Sequence, residues 1–205
     1  DLCLKKGVIP LIDLAYQGFG DGLDEDVIGL RSMVARVPEA LIAVSGSKNF
    51  GVYRDRVGAA FVVGANHKFT SLAEQNLKSL NRLTFSFPPD HGASIVEIVL
   101  SDKKSRSGRS LQEIWKEELS LMRIGMLDHR KLLMECLRVE TNSNRFDFVG
   151  VHRGMFSLLG LNSKQILRLR EDFGIYMVGD SRINIAGLNK KTIPSFAGAV
   201  AKVIV

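Results

Sequence analysis

Lys48 stands alone behind an apolar run and two serines, in Ala43-Val-Ser-Gly-Ser-Lys-Asn-Phe-Gly51, and two arginines, Arg54 and Arg56, follow shortly after it. An amine at the end of a buried strand, flanked by hydroxyls and guanidinium groups, suits a Schiff base formed beside a phosphate. Partial desolvation disfavours the ammonium form and leaves more nucleophilic free amine near neutral pH. The serine hydroxyls and an arginine fork supply donors that hold an anion. The competing reading is a solvated lysine in the loop after a strand, which any short Ser-x-Ser-Lys motif also allows.

A second group with chemical potential lies upstream. Val8-Ile-Pro-Leu-Ile-Asp13 is an apolar run closed by a carboxylate, and Leu14-Ala-Tyr-Gln-Gly-Phe-Gly-Asp-Gly22 follows as a loop. The pattern predicts a buried strand whose C-terminal end presents Asp13 and Tyr16, and open α/β sheets bind ligands at that end. Gly18, Gly20 and Gly22 invite a dinucleotide fingerprint, but Leu23 occupies the place of its third glycine.

These groups need elements to position them. Residues 24–37 carry Val27, Ile28, Leu30, Met33 and Val34 at helical spacing, and 41–45 reads as a second strand. Strand, helix, strand is the βαβ unit of a mostly parallel sheet, so the fold class expected is α/β. A third strand is expected at 58–63, a helix from Ser71 to Leu83 with Glu74 as capping-box partner, and a helix at 91–101 after Pro88-Pro89. The segment 102–109 reads as a charged turn. A long helix over 111–137 carries Ile114, Leu119, Met122, Ile124, Leu127, Leu132, Leu133 and Cys136 on its core face.

Beyond it the spacing predicts a strand at 146–152, a helix at 163–173 stopped by Gly174, a hairpin of 175–178 with 183–185, and a closing helix at 195–205. Residues 1–110 are thus expected to form part of one domain, and 111–205 the long helix and a smaller α+β domain. The opening Asp1-Leu-Cys-Leu-Lys-Lys-Gly7 reads as the last turn of a helix, with the expectation that chain is missing upstream.

Composition narrows the classes further. The 205 residues are 45% hydrophobic and 24% charged, with a net charge of +6, as expected for an ordinary globular protein with a mild preference for anions. No apolar run reaches membrane-spanning length. Cys3 and Cys136 lie far apart, which points to a reduced, cytoplasmic setting, and His67, His91, His129 and His152 lack metal-ligand spacing. Nucleic-acid binding would rest on the net charge and the 103–109 loop alone, without a basic helix face interleaved with aromatics.

Three stretches together, Ile12-Asp-Leu-Ala-Tyr-Gln-Gly-Phe19, Ser45-Gly-Ser-Lys-Asn-Phe-Gly51 with Arg56, and Ser181-Arg-Ile-Asn-Ile-Ala-Gly187, resemble the class I pyridoxal-phosphate aminotransferases of aspartate and aromatic (tyrosine) type. The resemblance runs to Val205 and implies the C-terminal half of a fold type I enzyme. It implies pyridoxal 5'-phosphate as cofactor, amino acids and 2-oxo acids as substrates, and a homodimer with shared active sites.

Position by position, the resemblance makes Lys48 the lysine bound to the cofactor and later the proton-moving base. It makes Asp13 the carboxylate under the pyridine nitrogen, and Tyr16 the phenol at the 3'-oxygen. Ser45 and Arg56 become phosphate ligands. Arg182 becomes the anchor for the substrate α-carboxylate, Arg82 the arginine for a distal carboxylate in the neighbouring subunit, and Phe156 an aromatic wall. Ser181 departs from the family's glycine, which implies backbone strain if that position requires φ > 0. The family's phosphate loop, ring-stacking aromatic and 3'-oxygen asparagine would all precede Asp1. The alternative function is a truncated, catalytically silent fragment or partner subunit that acts only in protein association.

Overall fold

The structure, a computed structural model, describes residues 1–101 and 103–205, and it packs as two units, Asp1–Leu119 and Ser120–Val205. Asp102, the first residue of the expected charged turn, lies outside the described residues; from there on, Lys104 bridges Ser110 and Arg109 pairs with Glu117 at 2.6 Å.

In the first unit α1 (Leu2–Lys6) ends, as its basic last turn and glycine imply, on Gly7 in the left-handed region at φ 61°. Strand β1 (Leu11–Leu14) pairs in parallel with β2 (Ala40–Ser45), and β3 (Gly58–Val63) lies antiparallel on the other side of β2. The link from β1 to β2 holds a 3-10 turn (Glu25–Val27) and α2 (Ile28–Val34). This helix stops short of the expected residue 37. Pro38 disfavours helical backbone at the residue before it. Strand β1 is less buried than its composition suggests: Leu11 is 71% exposed and its partner Leu41 in the central strand 43%, because no described element covers that face of the sheet.

Helix α3 (His67–Thr84) starts four residues earlier than the Ser71 signal indicates. Asn66 caps it, its side-chain oxygen accepting the Phe69 N–H at 3.1 Å, and asparagine caps as well as serine does. Glu74 pairs instead with Lys78, one turn on, at 2.6 Å. Helix α4 (His91–Leu100) packs against the 55–57 loop through Gly92, where an added Cβ would meet the Asp55 carbonyl at 2.7 Å.

Helix α5 (Leu111–Thr141) is longer than expected, and the division into units falls inside it, after Leu119, whereas the sequence reading places a boundary at its start. Its buried positions are Leu119, Met126, Arg130, Leu133 and Leu137. Met122 and Ile124, expected on the core face, are about half exposed at 48% and 47%.

In the second unit, α6 (Phe148–Val151) replaces the strand expected at 146–152. Phe146 and Val149 are buried three residues apart, a helical spacing, whereas the alternation of Phe146 and Phe148 around Asp147 reads as strand over so short a run. The expected 175–185 hairpin does not form either. Strand β5 (Arg182–Asn184) pairs antiparallel with β4 (Phe156–Leu158), far earlier in the chain. Helix α7 (Ser163–Phe173) is capped by Asn162 and Gln165 in a reciprocal box and ended by Gly174, and α8 (Thr192–Ile204) packs on it.

Ser181 has φ 67°, the left-handed conformation anticipated where the resemblance implies glycine. It is fully buried, and its Oγ accepts the Leu161 N–H at 2.9 Å. The serine thus offsets backbone strain with a hydrogen bond that glycine lacks. Ser181→Ala keeps the strain and strands the Leu161 N–H, so it is expected to cost about 1–3 kcal/mol. Ser181→Gly relieves strain of about 1–2 kcal/mol and loses the same bond, so it stays near neutral. Urea unfolding of the two variants checks the order.

Candidate active site

The parallel register pairs Asp13 with Ala43 and Leu14 with Val44, so the C-terminal ends of β1 and β2 lie side by side. Alternation along β2 puts Ala43 and Ser45 on the face that Asp13 occupies. Tyr16 follows the end of β1 and Lys48 the end of β2, and the Lys48 amine sits 5.0 Å from the centre of the Tyr16 ring. Among the described residues no carboxylate pairs with Lys48, and the exposed Asp13 carboxylate has no hydrogen bond or ion pair.

A tight turn delivers the lysine. Gly46 N–H donates to Val57, Phe50 N–H to the Gly46 carbonyl at 3.2 Å, and Gly51 N–H to Lys48 at 3.1 Å. Trp115 of α5 pins the turn from outside: its Nε1 donates to the Asn49 carbonyl at 2.7 Å, and its ring stacks on Phe50 at 4.5 Å.

Ser45 and Arg56 are joined through Ser47, a residue the sequence reading missed. The Ser47 N–H donates to Ser45 Oγ at 3.2 Å, and Arg56 Nη1 reaches Ser47 Oγ at 3.5 Å and the Tyr53 carbonyl at 3.2 Å. Ser47 is buried, and its place between Ser45 and Lys48 was the available signal. Arg56 holds φ 51°, an uncommon conformation for a side-chain-bearing residue and one that tends to mark functional sites. A cavity of 520 Å³ nearby, lined by Val44, Ser45, Phe50, Ala59, Val96 and Trp115 among others, is lined by none of Asp13, Tyr16, Lys48 and Arg56.

The glycine-rich loop after Tyr16 closes on itself. The Asp26 carboxylate accepts the N–H groups of Gly18 at 2.8 Å, Gly20 at 2.9 Å and Asp21 at 2.8 Å. Its own side chain thus fills the nest that an outside phosphate would need, the physical reason the loop is no dinucleotide site. Asp26→Ala removes three charge-assisted bonds, and an expected loss of about 2–3 kcal/mol is measurable by urea unfolding.

The remaining candidates lie elsewhere in the two units. Arg82 ends α3 in the first, exposed, with Nη1 donating to Ser86 Oγ at 2.7 Å; Leu83, Phe85 and Phe87 around it are 79%, 75% and 87% exposed. Arg182 and Phe156 belong to the second, where the guanidinium lies 5.3 Å from the ring centre. They share a 260 Å³ cavity with His152, Ser157 and Leu158. Among the described residues no group of His, Cys, Asp and Glu could hold a metal, and no helix is long and apolar enough to cross a membrane.

Comparison with known proteins gives a consistent result. The sequence model of the family described as aminotransferase class I and II matches residues 1–200. The chain is 53% identical over 199 residues to the aromatic-amino-acid aminotransferase of Paracoccus denitrificans, with 97% of this chain and 49% of that protein covered. It is 40% identical over 203 residues to the aspartate aminotransferase of Escherichia coli K12, with 99% and 50% covered. The solved aromatic-amino-acid aminotransferase of Burkholderia pseudomallei, described as covalently bound to pyridoxal phosphate, superposes with a TM-score of 0.91 at 35% identity, over all of this chain and 50% of that one. The chain spans about half the length of the curated relatives it matches.

Proposed function

Because this chain belongs to the class I and II aminotransferases, we propose that it carries the cofactor lysine of an enzyme moving an amino group between an amino acid and a 2-oxo acid with pyridoxal 5'-phosphate. One observation carries the reading: an amine, a phenol and an unpaired carboxylate come together at the joined ends of two parallel strands, with a serine and arginine cluster on the adjoining turn. This donor set fits the cofactor, having a group for each of its polar positions. Bound there, pyridoxal phosphate would supply an electron sink for the carbanion left at the substrate Cα.

The chain's own residues do the rest. With the cofactor bound, Lys48 would act as the base that takes the proton from the substrate Cα, a transfer that needs a free amine within reach of that carbon. With the cofactor bound, Asp13 would keep the pyridine nitrogen protonated by offering it a negative charge. Tyr16 would donate its O–H to the 3'-oxygen. Arg56, with Ser45 and Ser47, would hold the phosphate in a forked, charge-assisted grip.

Arg182 binds the substrate α-carboxylate, with Phe156 beside it as an apolar wall. Arg82 reaches a distal carboxylate in the neighbouring subunit of a homodimer, and the exposed Leu83, Phe85 and Phe87 around it suit burial in such a contact. Aspartate, glutamate and aromatic amino acids are the proposed donors, in line with the names of the relatives. Both cysteines are free thiols, which supports a cytoplasmic setting.

A second reading, a catalytically silent chain that acts by association, is favoured by the apolar Leu11 and Leu41 left exposed on the Asp13 face. The test is transamination of 2-oxoglutarate by aspartate or tyrosine with added pyridoxal phosphate. Turnover supports the enzyme, and its absence in the full-length protein supports the silent reading.

A further inference from the structure

Arg130 of α5 is fully buried, and among the described residues its partners include no carboxylate. Nη1 donates to the Val149 carbonyl at 3.0 Å and to Ser157 Oγ at 2.7 Å. Nη2 donates to the carbonyls of Gly154 at 2.8 Å, Phe156 at 2.8 Å and Arg153 at 3.3 Å, and Nε to Gly154 at 3.3 Å. Every acceptor lies between residues 149 and 157. A buried cation is costly unless its donors are satisfied, and only the planar five-donor fork of arginine can serve so many acceptors in one place.

The clamped segment leads straight into β4, and β4 sets β5: Phe156 pairs with Asn184, Ser157 with Ile183, and Leu158 with Arg182. Ser157 Oγ also lies 3.2 Å from His152 Nδ1, so the hydroxyl that accepts from Arg130 also fixes the imidazole. His152, Phe156, Ser157 and Leu158 line one cavity with Arg182. Four of its five wall residues are therefore held, directly or through one neighbour, by the Arg130 guanidinium.

We propose that Arg130 is a positioning residue for the substrate-carboxylate site, acting on Arg182 through the 149–157 segment and the β4–β5 register. The inference rests on the aminotransferase reading above. Burial lowers the guanidinium's affinity for its proton, with Arg153 adding to the effect, which accords with a side chain kept for its hydrogen bonds and not for a charge pair.

The test is a double-mutant cycle on the full-length enzyme, with kcat/KM for 2-oxoglutarate as the readout. Lysine at 130 keeps the charge and loses the fork. Arg130→Lys is expected to lower kcat/KM about tenfold or more, chiefly through KM, while the borohydride-trapped cofactor adduct at Lys48 forms as before. In an Arg182→Ala background the same change is expected to have less than about a twofold effect, because the group it positions is gone. Equal losses in both backgrounds, or no loss in the first, overturn the proposal.

Should Arg130→Lys not fold, Ser157→Ala carries the same comparison, since it removes one acceptor and the His152 link while the four carbonyls stay bonded. It is expected to show a smaller KM effect that disappears in the Arg182→Ala background, and additivity again overturns the proposal. A wild-type enzyme with neither turnover nor adduct fails the aminotransferase reading itself, a result distinct from either outcome of the cycle.

Discussion

Lys48→Ala is expected to lower transamination by about a thousandfold or more, the range that removal of a positioned proton-transfer group spans. The loss is expected to fall on kcat and kcat/KM alike, because in the proposed function the amine acts on the reacting carbon and not on remote parts of the substrate. Folding is expected to change little. The Lys48 side chain is only partly buried, and the turn that carries it is held by the Gly46–Phe50 and Val57–Gly46 backbone bonds and by Trp115, none of which uses the amine. Lys48→Arg keeps the positive charge over the Tyr16 ring yet is expected to be as inactive as alanine, since a guanidinium neither forms the covalent bond nor gives up a proton near neutral pH. An arginine variant that kept activity would show that position 48 serves as a fixed charge.

The second large effect is expected at Arg182. Its guanidinium stands at the start of β5, about half exposed, 5.3 Å from the Phe156 ring. The nearby Asp180 carboxylate is 4.0 Å from its Nε, too far for a strong pair, and so leaves the fork available for a carboxylate. Arg182→Ala would remove the proposed bidentate, charge-assisted contact, and kcat/KM for every amino and 2-oxo acid is expected to fall by about a hundredfold or more. Arg182→Lys is expected to recover only a small part, because an ammonium cannot match the two carboxylate oxygens in plane. Arg82→Ala is the natural control. It is expected to weaken dicarboxylates and spare aromatic substrates, and steady-state kinetics with aspartate and with tyrosine separates the two arginines.

The candidate residues were legible in the sequence because they sit at element ends, and ends announce themselves. Asp13 closes an apolar run, Lys48 follows another, and Gly7 and Gly174 stop helices by adopting the left-handed region at φ 61° and 65°. Ser45, Lys48 and Arg56 lie within twelve residues of one another, so spacing alone brought them into one short segment. What stayed hidden was long-range. Strand β5 pairs with a strand 26 residues earlier in register, Phe156 opposite Asn184 being 28 apart, and no local pattern distinguishes that partner from the nearer 175–178 segment.

Residues 146–152 failed for a different reason. Over seven residues the apolar 146, 148 alternation suggests a strand while 146 and 149 share a helical face, and only the tertiary environment, which buries 146 and 149, chooses between them. Arg130 was invisible because a charged residue on a helix reads as its solvent face. Its burial depends on five acceptors supplied by a segment that begins 19 residues later. Ser47 was legible and passed over, since the turn geometry that links Ser45 to Arg56 through it appears only in three dimensions.

The claim beneath all of this is that one amine, Lys48, binds the cofactor. Reducing the full-length protein with borohydride in the presence of pyridoxal 5'-phosphate and mapping the modified peptide by mass tests it most directly. The expected result is a single stable adduct on the peptide containing Lys48, absent from Lys48→Ala. An adduct on another lysine, or none in a folded protein, contradicts the account.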